Sequence, residues 1–524
     1  MRKINVTIRR TPFRFVCSLS LFASFFLPLA VQAQPPAPVS APVTVAPVDP
    51  AIAAALQQVS PDRIHATIEK LVSFNNRSTL SSMDTDLAPG TGINAAADWI
   101  FSQFQSYSAE CGGCLEVKRD VFIEPAVPGS RIIRPTRLQN IYAVLKGTDS
   151  DQAARRVLIT GHYDSRNSDN FDTHTPAPGA NDDASGTAVS MECARVLSKL
   201  KFPSTIVFVT VAGEEQGLFG SRHLARLAKS EGWQLEAVLN NDIVGGDTTP
   251  GVNADKSVVR IFSEGIPATA TPQEIRTIES IGADSDSTSR ELARAIADVG
   301  RTYFTPSMQR AAALPGQVHS NAIRRLPAFH PVLIFRRDRF LRGGDHTSFN
   351  LEGFTAVRIT EWQENFNHQH QNPRIDTGTL PDGSKGPIQY GDLIQYDDFN
   401  YMANVARLNA ASLATFASAP GLPRNVTVLN PPYDPRTSLT WERPAGMPAN
   451  ATFEVVYRET QAPDWTNVVS AGNATSIILP ISKDNTIFGV RSVDPAGHRS
   501  AAVYPMPAAN NVPPVPGTTI PAAK

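Results

Sequence analysis

The sequence predicts an α/β fold: a mostly parallel central sheet with helices on both faces, followed by a small β-sandwich. Three observations carry this prediction. Between about 155 and 240, short apolar strands alternate with helical patterns, as in a sheet covered on both faces. A histidine and several carboxylates fall where those strands end, the edge at which ligand sites of such sheets gather. After Ala419-Pro420-Gly421 the helices stop, and short strands recur with turn signals between them.

The 524-residue chain has an ordinary globular composition, 41% hydrophobic and 19% charged, and is long enough to bury a large core. Residues 1–33 read as a secretory signal. Arg2, Lys3, Arg9, Arg10 and Arg14 form a basic leader, Phe15 to Leu29 an apolar run, and Val31-Gln32-Ala33 a small-residue cleavage site. A membrane anchor is the competing reading, but the run is short for a span. Without the leader 43 basic residues face 49 acidic ones, a formal charge of −6. Nothing in that balance suggests nucleic-acid binding, which needs a basic face. No later stretch is long and apolar enough to span a bilayer, so the mature chain is expected to be secreted or periplasmic.

Residues 34–54 are Pro/Ala/Val-rich and read as a linker. Ser60-Pro61-Asp62 opens a helix with the apolar stripe Ile64, Ile68, Leu71 and Val72. A second helix is expected over 93–107, and strands over 115–122 and 139–145. Strands at 157–160, 205–211 and 235–239 alternate with helices at 184–200 and 218–229. Further strands are expected at 258–262, 331–335 and 355–359, and helices at 289–299 and 402–416. Residues 371–400 show no period and read as loop. Together 55–418 form one domain and 421–507 a sandwich, with a disordered tail at 508–524. With Cys17 in the leader, Cys111-Gly-Gly-Cys114 is expected to be a local disulfide, since neither a second zinc-ligand pair nor a thioredoxin-like context accompanies it. Cys193 reads as a buried thiol.

Three clusters carry the chemistry: Gly161-His162-Tyr163-Asp164-Ser165, Gly179-Ala-Asn-Asp182-Asp183-Ala-Ser-Gly186 and Ala212-Gly213-Glu214-Glu215. A hydrolytic metal site needs His, Asp and Glu ligands with a position left for water, and a two-metal site needs a bridging carboxylate. The candidates are His162, Asp182, Glu215, Asp242 and a later histidine. Neighbouring side chains on extended backbone diverge, so one of Glu214 and Glu215 can bind metal while the other addresses water as general base. Asp164, two residues after His162, lies on the same side and can orient its imidazole. Asp183 is suited to capping the following helix.

These clusters, with Asn241-Asp242, resemble the M28 family of zinc aminopeptidases and carboxypeptidase-like relatives over about residues 55–418. The resemblance implies a zinc exopeptidase fold and two zinc ions. By it His162 binds one zinc with Asp242, Asp182 bridges, Glu215 joins the other zinc, Glu214 is the acid/base and Asp164 orients His162. Gly344-Asp345-His346-Thr347-Ser348-Phe349 resembles a family element that shapes the pocket, so His346 is expected as a hydrogen-bonding residue rather than a ligand. Aligned from Glu364-Asn365, His370 falls on the last ligand position, with His368 as the alternative. Trp441, Tyr457 and Val490 to Gly497 resemble a fibronectin type III domain, which implies attachment to a surface or polymer, or substrate positioning.

The function expected is that of a secreted aminopeptidase acting on peptides or proteins through a metal-activated water. One rival keeps the scaffold but cyclises N-terminal glutamine with a single zinc, as glutaminyl cyclases do. Another is a non-catalytic binding protein, against which the intact ligand clusters argue.

Overall fold

The computed structural model describes residues 39–253, 255–304, 326–379, 383–429 and 434–508. The leader with Cys17, residues 34–38 of the expected linker and the tail from 509 lie outside the described residues.

The chain opens with β1 (Ser40–Pro42), α1 (Pro50–Leu56), α2 (Pro61–Val72) and α3 (Gly92–Glu110). Ser60 caps α2 by accepting from the Arg63 N–H, with Pro61 at its first position. The alternating region then supplies β2 (Leu115–Glu124), β3 (Thr136–Leu145), β4 (Arg155–His162), α4 (Ser185–Leu197), β5 (Thr205–Val211), α5 (Phe219–Ser230) and β6 (Gln234–Asn241). Next come β7 (Val258–Ser263), α6 (Pro272–Ile281), α7 (Thr288–Tyr303), β8 (His330–Ile334), α8 (His346–Leu351) and β9 (Ala356–Glu361). The hairpin β10 (Arg374–Thr379) and β11 (Lys385–Tyr390) precedes the long α9 (Phe399–Ser418).

The central sheet has eight strands in the order β2-β3-β5-β4-β6-β9-β7-β8. The expected mostly parallel sheet is corrected to a mixed one. Its middle, β5-β4-β6-β9, is parallel, and so is β7-β8. β2-β3, β3-β5 and β9-β7 are antiparallel. Periodicity reports which face a residue takes, not the direction of its strand. Helices do cover both faces. In β4, Val157 and Ile159 join one apolar cluster, which includes α4 and α9, while Leu158 joins the other, under α5. The same period of two sends Ile206 and Phe208 one way and Val207 and Val209 the other.

Two further readings are corrected. The linker is ordered from Val39 onward: β1 pairs antiparallel with a strand of the sandwich, and Asp49 caps α1. A proline-containing segment can add to a sheet edge, where its missing N–H costs little. Residues 374–379 and 385–390 pair as antiparallel strands rather than forming a loop, but these strands are mostly exposed, so no apolar period marks them.

The sandwich comprises β12 (Arg424–Leu429), β13 (Thr437–Glu442), β14 (Thr452–Glu459), β15 (Asn467–Gly472), β16 (Ser476–Leu479), β17 (Thr486–Val493) and β18 (Met506–Pro507). Its sheets run β16-β13-β12-β18 and β1-β15-β14-β17, around a core that includes Leu439, Trp441, Phe453 and Val490. It docks on α7 through buried charge. Arg458 reaches Asp286 at 2.6 Å, and the Trp465 indole donates to Glu291 at 2.9 Å. Arg294 donates to the Pro463 carbonyl at 2.8 Å. Cys111 and Cys114 form a disulfide, and Cys193 is free and buried. Among the described residues no helix is long and apolar enough to cross a membrane.

Two stability outcomes are expected. Arg458→Met leaves the buried Asp286 short of a cation and should cost about 3 kcal/mol in denaturant unfolding. His498 sits between Asp494 at 2.7 Å and Asp49 at 3.1 Å. Burial opposes its protonation, but the two carboxylates win and raise its pKa. A raised folded pKa adds stability below the unfolded value of about 6.5 that is lost as pH rises through the folded value. Melting curves from about pH 6 upward should show that loss in the wild type and not in His498→Gln.

Candidate metal centre

The site lies at the carboxyl edge of the parallel strands. β4 ends on His162, which pairs in register with Val211 at the end of β5. Gly213 and the Glu214-Glu215 pair follow at once, and Asp242 follows β6. Asp182 sits in the turn entering α4, whose Asp182-Asp183 peptide is cis. Gly161 and Gly186 let β4 and α4 meet, since a Cβ on Gly161 would lie 2.6 Å from the Thr187 nitrogen.

The five predicted ligands and Glu214, the predicted acid/base, fall into two groups. His162, Glu214 and Asp242 bring one ligand atom each within 4.8 Å of one another, and so do Asp182, Glu215 and His370. Asp182 joins them: one oxygen lies 3.1 Å from His162 Nε2 and the other 2.8 Å from His370 Nε2. Glu215 Oε1 is 3.0 Å from the same His370 nitrogen. His368 is elsewhere, its Nδ1 on Asp247 and its ring stacked on Tyr396. His346 is buried and bonded to the Arg337 carbonyl at 2.8 Å, and burial pushes its pKa down to about 4.

Asp164 acts more widely than expected. His162 Nδ1 lies 3.1 Å from its carbonyl and 3.4 Å from its carboxylate. That carboxylate also accepts the N–H groups of Glu214 and Glu215, at 3.3 and 3.2 Å. Asp183 caps α4 through the Gly186 N–H at 2.9 Å and also accepts the His162 N–H at 3.0 Å.

Four residues of the site carried no readable signal. Arg77, fully buried, donates to the carbonyls of Leu71, Tyr163, Pro178 and Gly179. Burial lowers its pKa to about 10, so it remains charged at neutral pH. Arg358, on β9, grips both Asp242 oxygens at 2.7 Å. Arg166 holds Glu215 Oε2 at 2.8 Å and abuts His370 Nδ1. Gln369 donates to Asp182 at 3.0 Å. Each is a lone polar residue whose partners are distant in sequence.

The donor set fits divalent metal ions. His162 Nε2 and Glu215 Oε1 are buried and make no hydrogen bond. Burial opposes a charged imidazole at 370, yet Glu215 and Asp182 push its pKa up to about 10; the carboxylates call for a cation. His370 would hold a metal in its neutral form, and with its proton on Nδ1 the Arg166 guanidinium, which only donates, would find no acceptor there. Loss of hydration, above all, pushes the Glu214 carboxyl well above its usual range. His162 opposes that shift, and Asp242, Asp345 and Glu215 add to it. Three non-glycine residues with left-handed backbone, Leu218, Ile243 and His370, lie at or beside these groups, at a cost of about 1–2 kcal/mol each.

Clustered carboxylates and imidazoles beside an open cavity define a metal-dependent hydrolase type of site. The description "Peptidase family M28" matches residues 140–380. The chain is 40% identical over 488 residues to a "Probable zinc metalloprotease" of Pyrenophora teres f. teres (strain 0-1), covering 93% of each protein. It is 41% identical over 478 residues to a protein of the same description from Pyricularia oryzae (strain 70-15), covering 90% of this chain and 88% of that one. A solved structure, the Legionella pneumophila LapA aminopeptidase, is 20% identical, with a TM-score of 0.44 over 72% of this chain and 77% of that one. The chain belongs to peptidase family M28.

Arg77→Met should leave four carbonyls without their donor. A loss of at least about 3 kcal/mol is expected, read as a lower denaturant midpoint at unchanged slope.

Proposed function

We propose that the protein is a secreted or periplasmic zinc-dependent aminopeptidase that holds two zinc ions. The carrying observation is the pair of ligand groups joined through Asp182. His162 and Asp242 would hold one ion, Glu215 and His370 the other, with Asp182 between. Bound there, zinc supplies Lewis acidity and makes a water deprotonate near neutral pH. Glu214, at the cavity wall, takes the proton of the attacking water and returns it to the leaving amine. The acidic groups beside the metals also suit a free α-amine, which favours removal of N-terminal residues. Two ligand groups favour peptide hydrolysis over single-zinc cyclisation of N-terminal glutamine. The Cys111–Cys114 disulfide agrees with export to an oxidising compartment.

In this reading the sandwich is a fibronectin type III-like domain over 421–507, supported by its two packed sheets and the Trp441–Phe453 core pair. Its outer face is available for attachment to a surface or polymer.

Glu214→Gln should lower kcat on aminoacyl anilides about 10²-fold or more while leaving zinc content intact. Metal analysis of the purified protein should find about two zinc per chain, and a chelator should lower its melting temperature reversibly. A fully active Glu214→Gln protein, or one zinc with pyroglutamate formation alone, would overturn the reading.

A further inference from the structure

The cavity over the metal groups holds about 600 Å³. Its lining is unusual in charge. Besides the acidic ligands it presents Arg131, Arg166, Arg339 and Arg342, while its apolar side chains are Leu218 and Phe366. Such a cavity offers an aliphatic side chain little to pack against.

The arginines differ in what they have left to give. Arg166 is committed to Glu215 through Nε, and its contact with His370 is the one that metal binding would displace. Arg339 uses all three nitrogens, on Asp338 at 3.0 Å, Glu364 at 2.9 Å and the Gly343 carbonyl at 3.0 Å. Arg342 gives one nitrogen to Glu364 at 2.8 Å and lies over the Phe366 ring, 5.7 Å from its centre. Arg260 takes the other Glu364 oxygen at 3.1 Å. One carboxylate therefore serves three guanidinium groups. Arg131 donates to the Glu215 carbonyl and has no acidic partner among the described residues. Arg131, Arg339 and Arg342 on the wall, with Arg260 behind them, face Glu364 and Asp338, and Arg339 also feels Asp242 of the floor. Metal ions would offset the acidic groups of the floor, but nothing in the wall offsets this surplus.

We propose that this wall is a carboxylate-binding subsite, with the free donor edges of Arg131 and Arg342 as its specificity-determining groups. The preferred substrates are then short peptides with a carboxylate near the scissile bond. The carboxylate comes from an acidic side chain or from the chain's own C-terminus. A guanidinium–carboxylate contact is charge-assisted and forked, and a site built for it discriminates against the neutral isostere, which leaves donors unpaired. The inference deepens the aminopeptidase reading and rests on it for the word substrate, not for the binding.

The test uses the zinc-loaded protein and calorimetric binding of two matched pairs. L-glutamate against L-glutamine isolates the side-chain carboxylate. L-leucyl-D-leucine against its C-terminal amide isolates the chain-end carboxylate. In at least one pair the carboxylate member should bind about tenfold tighter or more. That ratio should fall below about threefold in the Arg131→Gln/Arg342→Gln protein. It should also shrink in wild type as salt rises from about 0.05 to 0.5 M, a measurement independent of whether the variant folds. Turnover of the matching L-substrates should show the same ratio, mostly in KM. Equal binding within both pairs, or a preference that survives the double substitution and high salt, overturns the subsite. Failure of the aminopeptidase reading looks different: no free-amine substrate turns over, while the binding pairs still report on the wall.

Discussion

Everything at the active edge of this protein answers to one constraint, the crowding of six carboxylates into a few turns of chain. Asp164, Asp182, Asp183, Glu215 and Asp242 are all buried, and Glu214 stands at the cavity wall. A buried charge without a partner costs several kcal/mol. Three kinds of compensation are visible. Backbone N–H groups take Asp183 and Asp164, Arg358 and Arg166 take one oxygen or more of Asp242 and Glu215, and two imidazoles face Asp182. What is left over, Glu215 Oε1 and His162 Nε2, which approach His370 and Asp182 without a hydrogen bond, is the capacity that bound metal would fill.

The order of that edge was legible because it is local. His162, Glu214, Glu215 and Asp242 each close an apolar strand, and a strand end is visible as the point where the apolar run stops. The choice between His370 and His368 was not local. Asp247 and Tyr396 hold His368, while His370 lies beside Asp182 and Glu215. The arginines were illegible for the same reason: Arg77 and Arg358 look like any surface cation until the fold closes on them. The mixed sheet escaped because side-chain period carries no strand direction. By contrast, α6 was readable and went unread. Thr271-Pro272-Gln273-Glu274 is a capping box with proline at the first position, set in a region whose other signals are weak.

The sandwich was recognised from its strands, but its attachment was not. The sequence marks a domain boundary near 420 but not how the two domains meet, and the structure ties the sandwich down at both ends of the chain. β1 lengthens the sheet that faces α7, Asp49 meets His498, and Asp286, Glu291 and Arg294 on or beside α7 meet Arg458, Trp465 and Pro463. Buried ion pairs add little net stability against an apolar alternative, but they penalise every misaligned arrangement. The junction therefore specifies one orientation for the sandwich against the peptidase-like domain.

The same logic of partners separates two adjacent glutamates with identical chemistry. Asp164 accepts both their N–H groups, so the peptide between them is held and their side chains diverge. Glu215 is directed into the cluster, where Arg166 fixes one oxygen and His370 faces the other. Glu214 has no ion-pair partner among the described residues, and the loss of hydration around it favours its protonated form. A group that is fixed and ionised suits ligation, and a group with a raised pKa and one open side suits proton transfer. In the proposed mechanism the division of labour would be set by Asp164, a residue that itself needs to touch neither metal nor substrate.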